Sequence, residues 1–360
     1  VKISSRLDKL DDLGFLNEKG EEMFRLLAQS PKDYERAWIL GEETPLPNFN
    51  PNSINQILVV GMGGSAIGGN FMQAIANMGG SCPVIVTKGY TLPAWVKRDT
   101  LVFFISYSGN TEETLYAYHQ VKEKGAQCLI ITSGGILATE AEEGDMVLFV
   151  PPGLPPRMAL PWLSLPLLVL ASRLNLINLS KDQGQSIAGA VAKTQKLLAP
   201  EVKTEKNQAK QIASLLWIKT ALIWGVQNST EAVAMRWKCQ LNENSKIPAF
   251  YNCLPEASHN EIMAVETLPW VSKDYQIICL RDQEDHPRLD QAFQVTQKLL
   301  EDKTAGFINI WGEGETLLAR NYSLVLLGDY ISTYLACLYG IDPLPIDLIS
   351  QFKEGMKNNI

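Results

Sequence analysis

Short apolar runs, each closed by small or polar residues and followed by a stretch with helical spacing, recur from residue 56 onward. They predict strands at 56–60, 83–87, 100–105, 127–132 and 146–150, with helices at 65–78, 112–124 and 136–142. The strands are apolar at nearly every position rather than at alternate ones. Strands of that kind are buried on both faces, and helical crossovers between them predict a parallel sheet. The proline-rich stretch Pro151-Pro152-Gly153-Leu154-Pro155-Pro156 ends this series, and an apolar helix follows over 160–175.

Residues 1–50 predict an N-terminal helical arm, with helix-like stretches at Glu21–Gln29 and Tyr34–Leu40 and a loop at Thr44–Pro51. Residues 180–210 are polar, rich in Gln and Lys, and read as a connecting helix or linker. A second series then begins with the strand Ala221–Gly225, after which Ser229 and Thr230 are candidate caps for a helix running toward Asn242. Strands at Tyr275–Leu280 and Gly306–Trp311 flank a helix over 287–301, and Glu315–Tyr339 reads as helical. Both series open with an apolar strand, a glycine turn and a long helix. The openings lie about 165 residues apart, too far for a solenoid, which suggests two copies of one α/β domain.

The chain has 360 residues, 46% hydrophobic and 20% charged, enough apolar material for two cores. A net charge of −7 gives no broad basic surface for nucleic acid, so an anionic ligand would need a locally positive site. Six cysteines without a C-x-x-C pair read as free thiols in a reducing, cytoplasmic setting. His119, His259 and His286 are too scattered for a metal centre. Val1–Ser5 carries no apolar leader run. The longest apolar stretch, Met158–Leu170, is broken by Pro161 and Pro166 and is too short to span a bilayer. Trp217, Trp224 and Trp237 sit in apolar surroundings that favour packing over sugar stacking.

Two turns carry the candidate chemistry. The first closes Ile57-Leu58-Val59-Val60 with Gly61-Met62-Gly63-Gly64-Ser65; the second closes Leu101–Ile105 with Ser106-Tyr107-Ser108-Gly109-Asn110-Thr111. Each joins a strand to a helix start, where backbone N–H groups meet an anion. The second turn offers the hydroxyls of Ser106, Ser108 and Thr111 and no lysine, which favours a sugar phosphate over a nucleoside triphosphate. Gly61–Ala66 also fits a loose G-x-G-x-x-A fingerprint, but Val84-Ile85-Val86-Thr87-Lys88 lacks the ribose-binding carboxylate of a dinucleotide site. Asn110 or Thr111 is in addition a candidate N-cap, with Glu112 and Glu113 favouring the positive helix end.

Gly-Gly-Ser followed by Ser-x-Ser-Gly-Asn-Thr-x-Glu-Thr resembles the SIS (sugar isomerase) domain. With Asn242-Glu243-Asn244-Ser245-Lys246 and Glu256-Ala257-Ser258-His259-Asn260-Glu261, the chain resembles the bifunctional phosphoglucose/phosphomannose isomerases over about residues 50–355. The resemblance implies two SIS domains, each a mainly parallel sheet flanked by helices, at 51–195 and 196–360 behind the arm at 1–50. It further implies a homodimer, no metal, no cofactor, and aldose–ketose isomerisation of hexose 6-phosphates.

On that resemblance Gly63, Gly64, Ser65, Ser106, Ser108 and Thr111 would hold the phosphate. Glu243 would move the proton between C1 and C2, Arg157 would stand by the enediolate, and His259 and Lys353 would assist ring opening. The roles suit the residue types. A carboxylate can carry a proton between adjacent carbons, a guanidinium can stabilise developing negative charge, and an imidazole can exchange protons near neutral pH. Bland readings stand beside them: Glu243 as an exposed helix-end residue, His259 as a capping or surface histidine, Arg157 in a surface ion pair, and Lys353 on a polar C-terminal stretch. Two other functions remain open at this point, an isomerase for another phosphosugar and a non-catalytic phosphosugar sensor. Residues 1–50 are too short and acidic for the DNA-binding domain that such a sensor usually carries.

Overall fold

The computed structural model describes residues 4–358. Val1–Ile3, in the stretch read as free of a leader, lie outside the described residues. Two compact units interleave along the chain: one takes Ser30–Val191 with Gly314–Arg320, the other the residues up to Gln29, Ala192–Glu313 and those from Asn321 on. These divisions differ from 1–50, 51–195 and 196–360: three of their boundaries fall inside the helices Leu13–Glu43, Gln183–Leu198 and Leu317–Tyr339, and the fourth, between Glu313 and Gly314, in the loop before the last of these.

The unit containing Ser30–Val191 is built on β1 (Gln56–Gly61), β2 (Val84–Thr87), β3 (Thr100–Ile105), β4 (Gln127–Thr132) and β5 (Met146–Phe149). All are parallel, in the order β2-β1-β3-β4-β5. The connections leave β1 and β3 in opposite directions, so the carboxyl ends of these two central strands form the crevice where such sheets bind ligands. One sheet face buries Leu58, Val60, Val102, Phe104 and Ile130 against Tyr118 and Val121 of the helix Glu112–Lys124. Full burial of each such side chain contributes about 1.5–3 kcal/mol.

The helix Gly64–Gly79 lies close on β1. A Cβ at Gly69 would stand 2.7 Å from Val59 Cγ1, and one at Gly68 would stand 2.8 Å from Ser164 Cα. Ser164 belongs to the helix Leu160–Arg173, which is buried all round from Leu160 to Ala171 and so needs no polar face. The helix expected at 136–142 is only Ile136–Thr139. The chain turns beyond it because the Glu142 amide donates to the Tyr118 hydroxyl at 3.1 Å and to Asp145 Oδ2 at 3.0 Å.

The two helix-like stretches of the arm are one helix, Leu13–Glu43, with Pro31 inside it. Buried Met23, Phe24, Leu27, Tyr34 and Ala37 carry one apolar stripe past the proline, which offsets its missing N–H.

The other unit is built on β6 (Thr220–Val226), β7 (Ala249–Leu254), β8 (Tyr275–Arg281) and β9 (Gly306–Trp311), parallel in the order β7-β6-β8-β9. Leu222, Trp224, Ile277, Cys279, Phe293 and Leu300 form its core. β7 is missing from the strands read in the sequence. It is an edge strand that leaves Phe250 and Tyr251 exposed, so it carries neither alternation nor a wholly apolar run. The stretch 180–210 is mostly regular: the helix Gln183–Leu198, a 3₁₀ turn at Thr204–Lys206 and the start of the helix Gln208–Leu216.

Thr230 precedes the helix Glu231–Gln240 but does not cap it with its side chain. Its hydroxyl instead donates to the Leu280 carbonyl at 2.7 Å and accepts from the Val226 amide at 2.9 Å. Trp224 and Trp237 are core residues, and Trp217 stacks on Tyr339 with centroids 4.4 Å apart. All six cysteines are free; Cys128, Cys279 and Cys337 are buried and the other three half-buried. Among the described residues no helix is long and apolar enough to cross a membrane, and no group of three or more His, Cys, Asp or Glu could hold a metal ion.

Candidate active site

Both turns predicted to hold phosphate stand at the carboxyl ends of β1 and β3. After β1, Gly63 adopts φ +53° at the start of the helix Gly64–Gly79, and no side chain caps that helix. Its first-turn amides therefore carry the positive end of the helix dipole with no side-chain oxygen upon them. After β3, Ser106 is buried and its Oγ lies 3.0 Å from Thr111 Oγ1. Ser108 is exposed, and its Oγ accepts from the Asn110 amide at 3.2 Å.

The capping expectation for this second turn is corrected. Thr111 occupies the N-cap of the helix Glu112–Lys124 without a side-chain hydrogen bond to it, because its hydroxyl is turned to Ser106. Asn110 Oδ1 accepts instead from the Ile136 amide at 3.0 Å. Two helix starts thus leave their amides uncapped by side chains, beside three hydroxyls, an arrangement of neutral donors suited to a phosphate dianion.

Gly109 makes the second turn possible. Its φ is +64°, and a Cβ there would lie 1.8 Å from the Gly134 carbonyl oxygen. The stretch Ser133-Gly134-Gly135 after β4 packs on the turn from the other side, with Ser133 Oγ donating to the Tyr107 carbonyl at 2.6 Å. That third loop was missed in the sequence; its adjacent glycines after an apolar strand were the available signal.

Arg157 lies in the same unit, in a 3₁₀ turn at Pro156–Met158. It is 5% exposed, which removes the surface ion-pair reading. Its backbone stands against the first turn: a Cβ on Gly64 would be 3.8 Å from Arg157 Cα and 3.7 Å from the Pro156 carbonyl oxygen. The structure therefore brings Gly63, Gly64, Ser65, Ser106, Ser108, Thr111 and Arg157 onto one end of one sheet.

Glu243, His259 and Lys353 belong to the other unit. Glu243 is half-buried at the middle of a π-helical turn, Leu241–Ser245, that continues the helix Glu231–Gln240. Such turns need outside support, and this one has it. Asn244 Nδ2 donates to Ser332 Oγ at 3.0 Å, and Ser245 Oγ donates to the Ser332 carbonyl at 2.7 Å. Lys246, at φ +56°, closes the turn; its Nζ donates to the carbonyls of Glu243, Asn244 and Asp342 at 3.1, 3.3 and 3.0 Å.

Beneath the turn lies a buried ion pair. Arg236 Nη2 reaches both carboxylate oxygens of Asp329 at 3.0 Å, Gln240 Nε2 donates to Asp329 Oδ1 at 2.6 Å, and Ser332 Oγ donates to the Asp329 carbonyl at 3.0 Å. Glu243 opens on a cleft of about 580 Å³, walled by Ile247 and Pro248 on one side and Pro345–Ile349 on the other. A carboxylate held on a braced turn at an apolar cleft is placed to take and return a proton.

His259 is exposed at the end of a short 3₁₀ turn, Glu256–His259, which Ser258 Oγ and Asn260 Nδ2 tie down through Pro255 O and Glu256 Oε1, both at 2.6 Å. Lys353 is exposed on the helix Asp347–Asn358, whose Leu348 and Phe352 also face outward. The polar stretch expected there is thus an amphipathic helix. Neither His259 nor Lys353 is among the residues lining the Glu243 cleft.

The second sheet does not repeat the hydroxyl-bearing turn that follows β3. After β8 the Asp282 amide is taken by Asp285 Oδ2 and the Glu284 amide by Asp282 Oδ1, each at 2.9 Å. Carboxylates occupy two amides of this loop, and their charge opposes an anion.

Two family models match separate stretches of the chain. The SIS domain model matches residues 52–153, and the model described as bacterial phospho-glucose isomerase C-terminal SIS domain matches residues 205–356. A bifunctional phosphoglucose/phosphomannose isomerase of Caldicellulosiruptor bescii is 40% identical over 335 residues, covering 93% of this chain and 98% of that protein. One of Aquifex aeolicus is 36% identical over 341 residues, covering 94% and 99%. Among solved structures, the C-terminal domain of glucosamine-fructose-6-phosphate aminotransferase from Francisella tularensis shares the fold at a TM-score of 0.69 with 16% identity, covering 89% of this chain and 97% of that one.

Proposed function

The chain belongs to the bifunctional phosphoglucose/phosphomannose isomerase family, and from that premise we infer that it is an enzyme interconverting glucose 6-phosphate and mannose 6-phosphate with fructose 6-phosphate. The observation that carries the reading is the pair of uncapped helix starts after β1 and β3, with Ser106 and Thr111 side by side and Arg157 against Gly64.

In this proposal Gly63, Gly64, Ser65, Ser106, Ser108 and Thr111 hold the 6-phosphate. Glu243 removes the C1 proton of the open-chain ketose, which leaves a cis-enediolate, and returns the proton to C2 as the hydroxyl proton of O1 passes to O2, which leaves an aldose. Arg157 stabilises the enediolate oxygens, whose charge is greatest in the intermediate. His259 and Lys353 serve ring opening, which needs a proton on the ring oxygen and one taken from the anomeric hydroxyl. Reaching both aldoses requires that the C2 hydroxyl fit either way around the carbonyl plane. The working form in this reading is a cytoplasmic homodimer without metal or cofactor, each chain having SIS domains at 51–195 and 196–360.

The test is turnover of fructose 6-phosphate by EDTA-treated protein, with glucose 6-phosphate and mannose 6-phosphate followed separately. Formation of both supports the reading. Folded protein that binds the sugar phosphate and forms neither overturns it in favour of a sensor or another substrate.

A further inference from the structure

Tyr107 fills the unassigned position of the Ser-x-Ser turn, yet its side chain is 7% exposed and fully hydrogen-bonded. Its hydroxyl donates to the Pro151 carbonyl at 2.8 Å and accepts from the Leu154 amide at 2.8 Å. The main chain beneath the ring is anchored as well, because the Tyr107 carbonyl accepts from the Ser133 amide at 2.9 Å and from Ser133 Oγ at 2.6 Å. One residue thus ties the turn after β3 to the proline-rich loop after β5.

That loop leads directly to Arg157. Only Pro155 and Pro156 separate Leu154 from Arg157, and a proline ring fixes φ, so a displacement at Leu154 is passed on rather than absorbed. The Met158 amide closes on the Pro155 carbonyl at 2.8 Å, which sets the 3₁₀ turn that carries Arg157. Downstream the chain enters the helix Leu160–Arg173, held by its close approach to Gly68. Arg157 is therefore fixed from two sides, and its upstream anchor is a side chain of the phosphate turn.

We propose that Tyr107 is a positioning residue: through Pro151 and Leu154 its hydroxyl sets where Arg157 stands relative to the turns after β1 and β3. The inference rests on the role given to Arg157 above. Tyr107 touches no substrate in it and acts only through the loop. Burial raises the phenol above its ordinary pKa despite the Leu154 amide, so the hydroxyl keeps the proton it donates to Pro151.

The experiment compares Tyr107→Phe, Arg157→Ala and the double variant in steady-state isomerisation of fructose 6-phosphate, with thermal unfolding measured on each. A group misplaced by about 1 Å can cost on the order of 100-fold, and a loop freed at one anchor is expected to cost kcat about 10-fold while KM moves less than about 3-fold. In the Arg157→Ala background the same change is expected to cost less than about 2-fold, because the group it positions is gone. Unchanged kcat in Tyr107→Phe, or an undiminished 10-fold loss in the Arg157→Ala background, overturns the positioning role. Full activity in Arg157→Ala overturns instead the reading of Arg157 on which it rests.

Discussion

A single missing methyl group decides whether the turn after β3 can form. Gly109 has φ +64° and faces the Gly134 carbonyl oxygen where any Cβ would overlap it. Gly109→Ala is expected to push Ser108 and Thr111 off the turn, raising KM for fructose 6-phosphate about 10-fold or more in steady-state kinetics. An unchanged KM would separate this turn from phosphate binding. Ser106, Ser108 and Thr111 were legible in the sequence because the turn that gathers them is local. Tyr107 and Ser332 were not, because their partners lie far along the chain: Pro151 is 44 residues from Tyr107 and Asn244 is 88 from Ser332. The burial of Arg157 was hidden for the same reason, since it depends on the whole unit and not on Pro155-Pro156-Arg157.

At the scale of elements, the strands and long helices were readable wherever both faces are buried. β7 escaped because an edge strand has only one neighbour and needs no continuous apolar run. The arm was read as two helices because Pro31 interrupts local propensity while packing does not. The close helix pair offers a direct check: Gly68→Ala would place Cβ 2.8 Å from Ser164 Cα, a backbone atom that cannot swing away. Chemical denaturation is expected to show a loss of about 1–3 kcal/mol, the range for overpacking; no loss would mean that the helices part freely.

The brace beneath Glu243 offers another. Arg236 and Asp329 are both more than nine-tenths buried, so Asp329→Ala leaves a guanidinium without its counter-charge. The expected cost is about 3–5 kcal/mol in urea unfolding. A loss below about 1 kcal/mol, the range of an exposed pair, would contradict the brace.

For the whole molecule, two parallel sheets of related strand order do different work. The first leaves the helix start after β3 without a side-chain cap; the second fills two amides after β8 with Asp282 and Asp285. The duplication was visible in the sequence as two strand–glycine–helix openings. The asymmetry was not, because it depends on which amide each carboxylate finds. Titration with inorganic phosphate is therefore expected to give one site per chain, lost in the double variant Ser106→Ala with Thr111→Val. Two equal sites would place an anion on the second sheet as well.

In the proposed mechanism, holding the phosphate and moving the proton are separable tasks, and the second falls to Glu243. Glu243→Gln tests it most directly, in one preparation assayed for glucose 6-phosphate binding by calorimetry and for turnover by product formation. General-base chemistry contributes about 10²–10⁴-fold, so kcat is expected to fall within that range while the dissociation constant stays within about 3-fold of the parent enzyme. Turnover within a few-fold of the parent enzyme, with binding intact, would contradict the account.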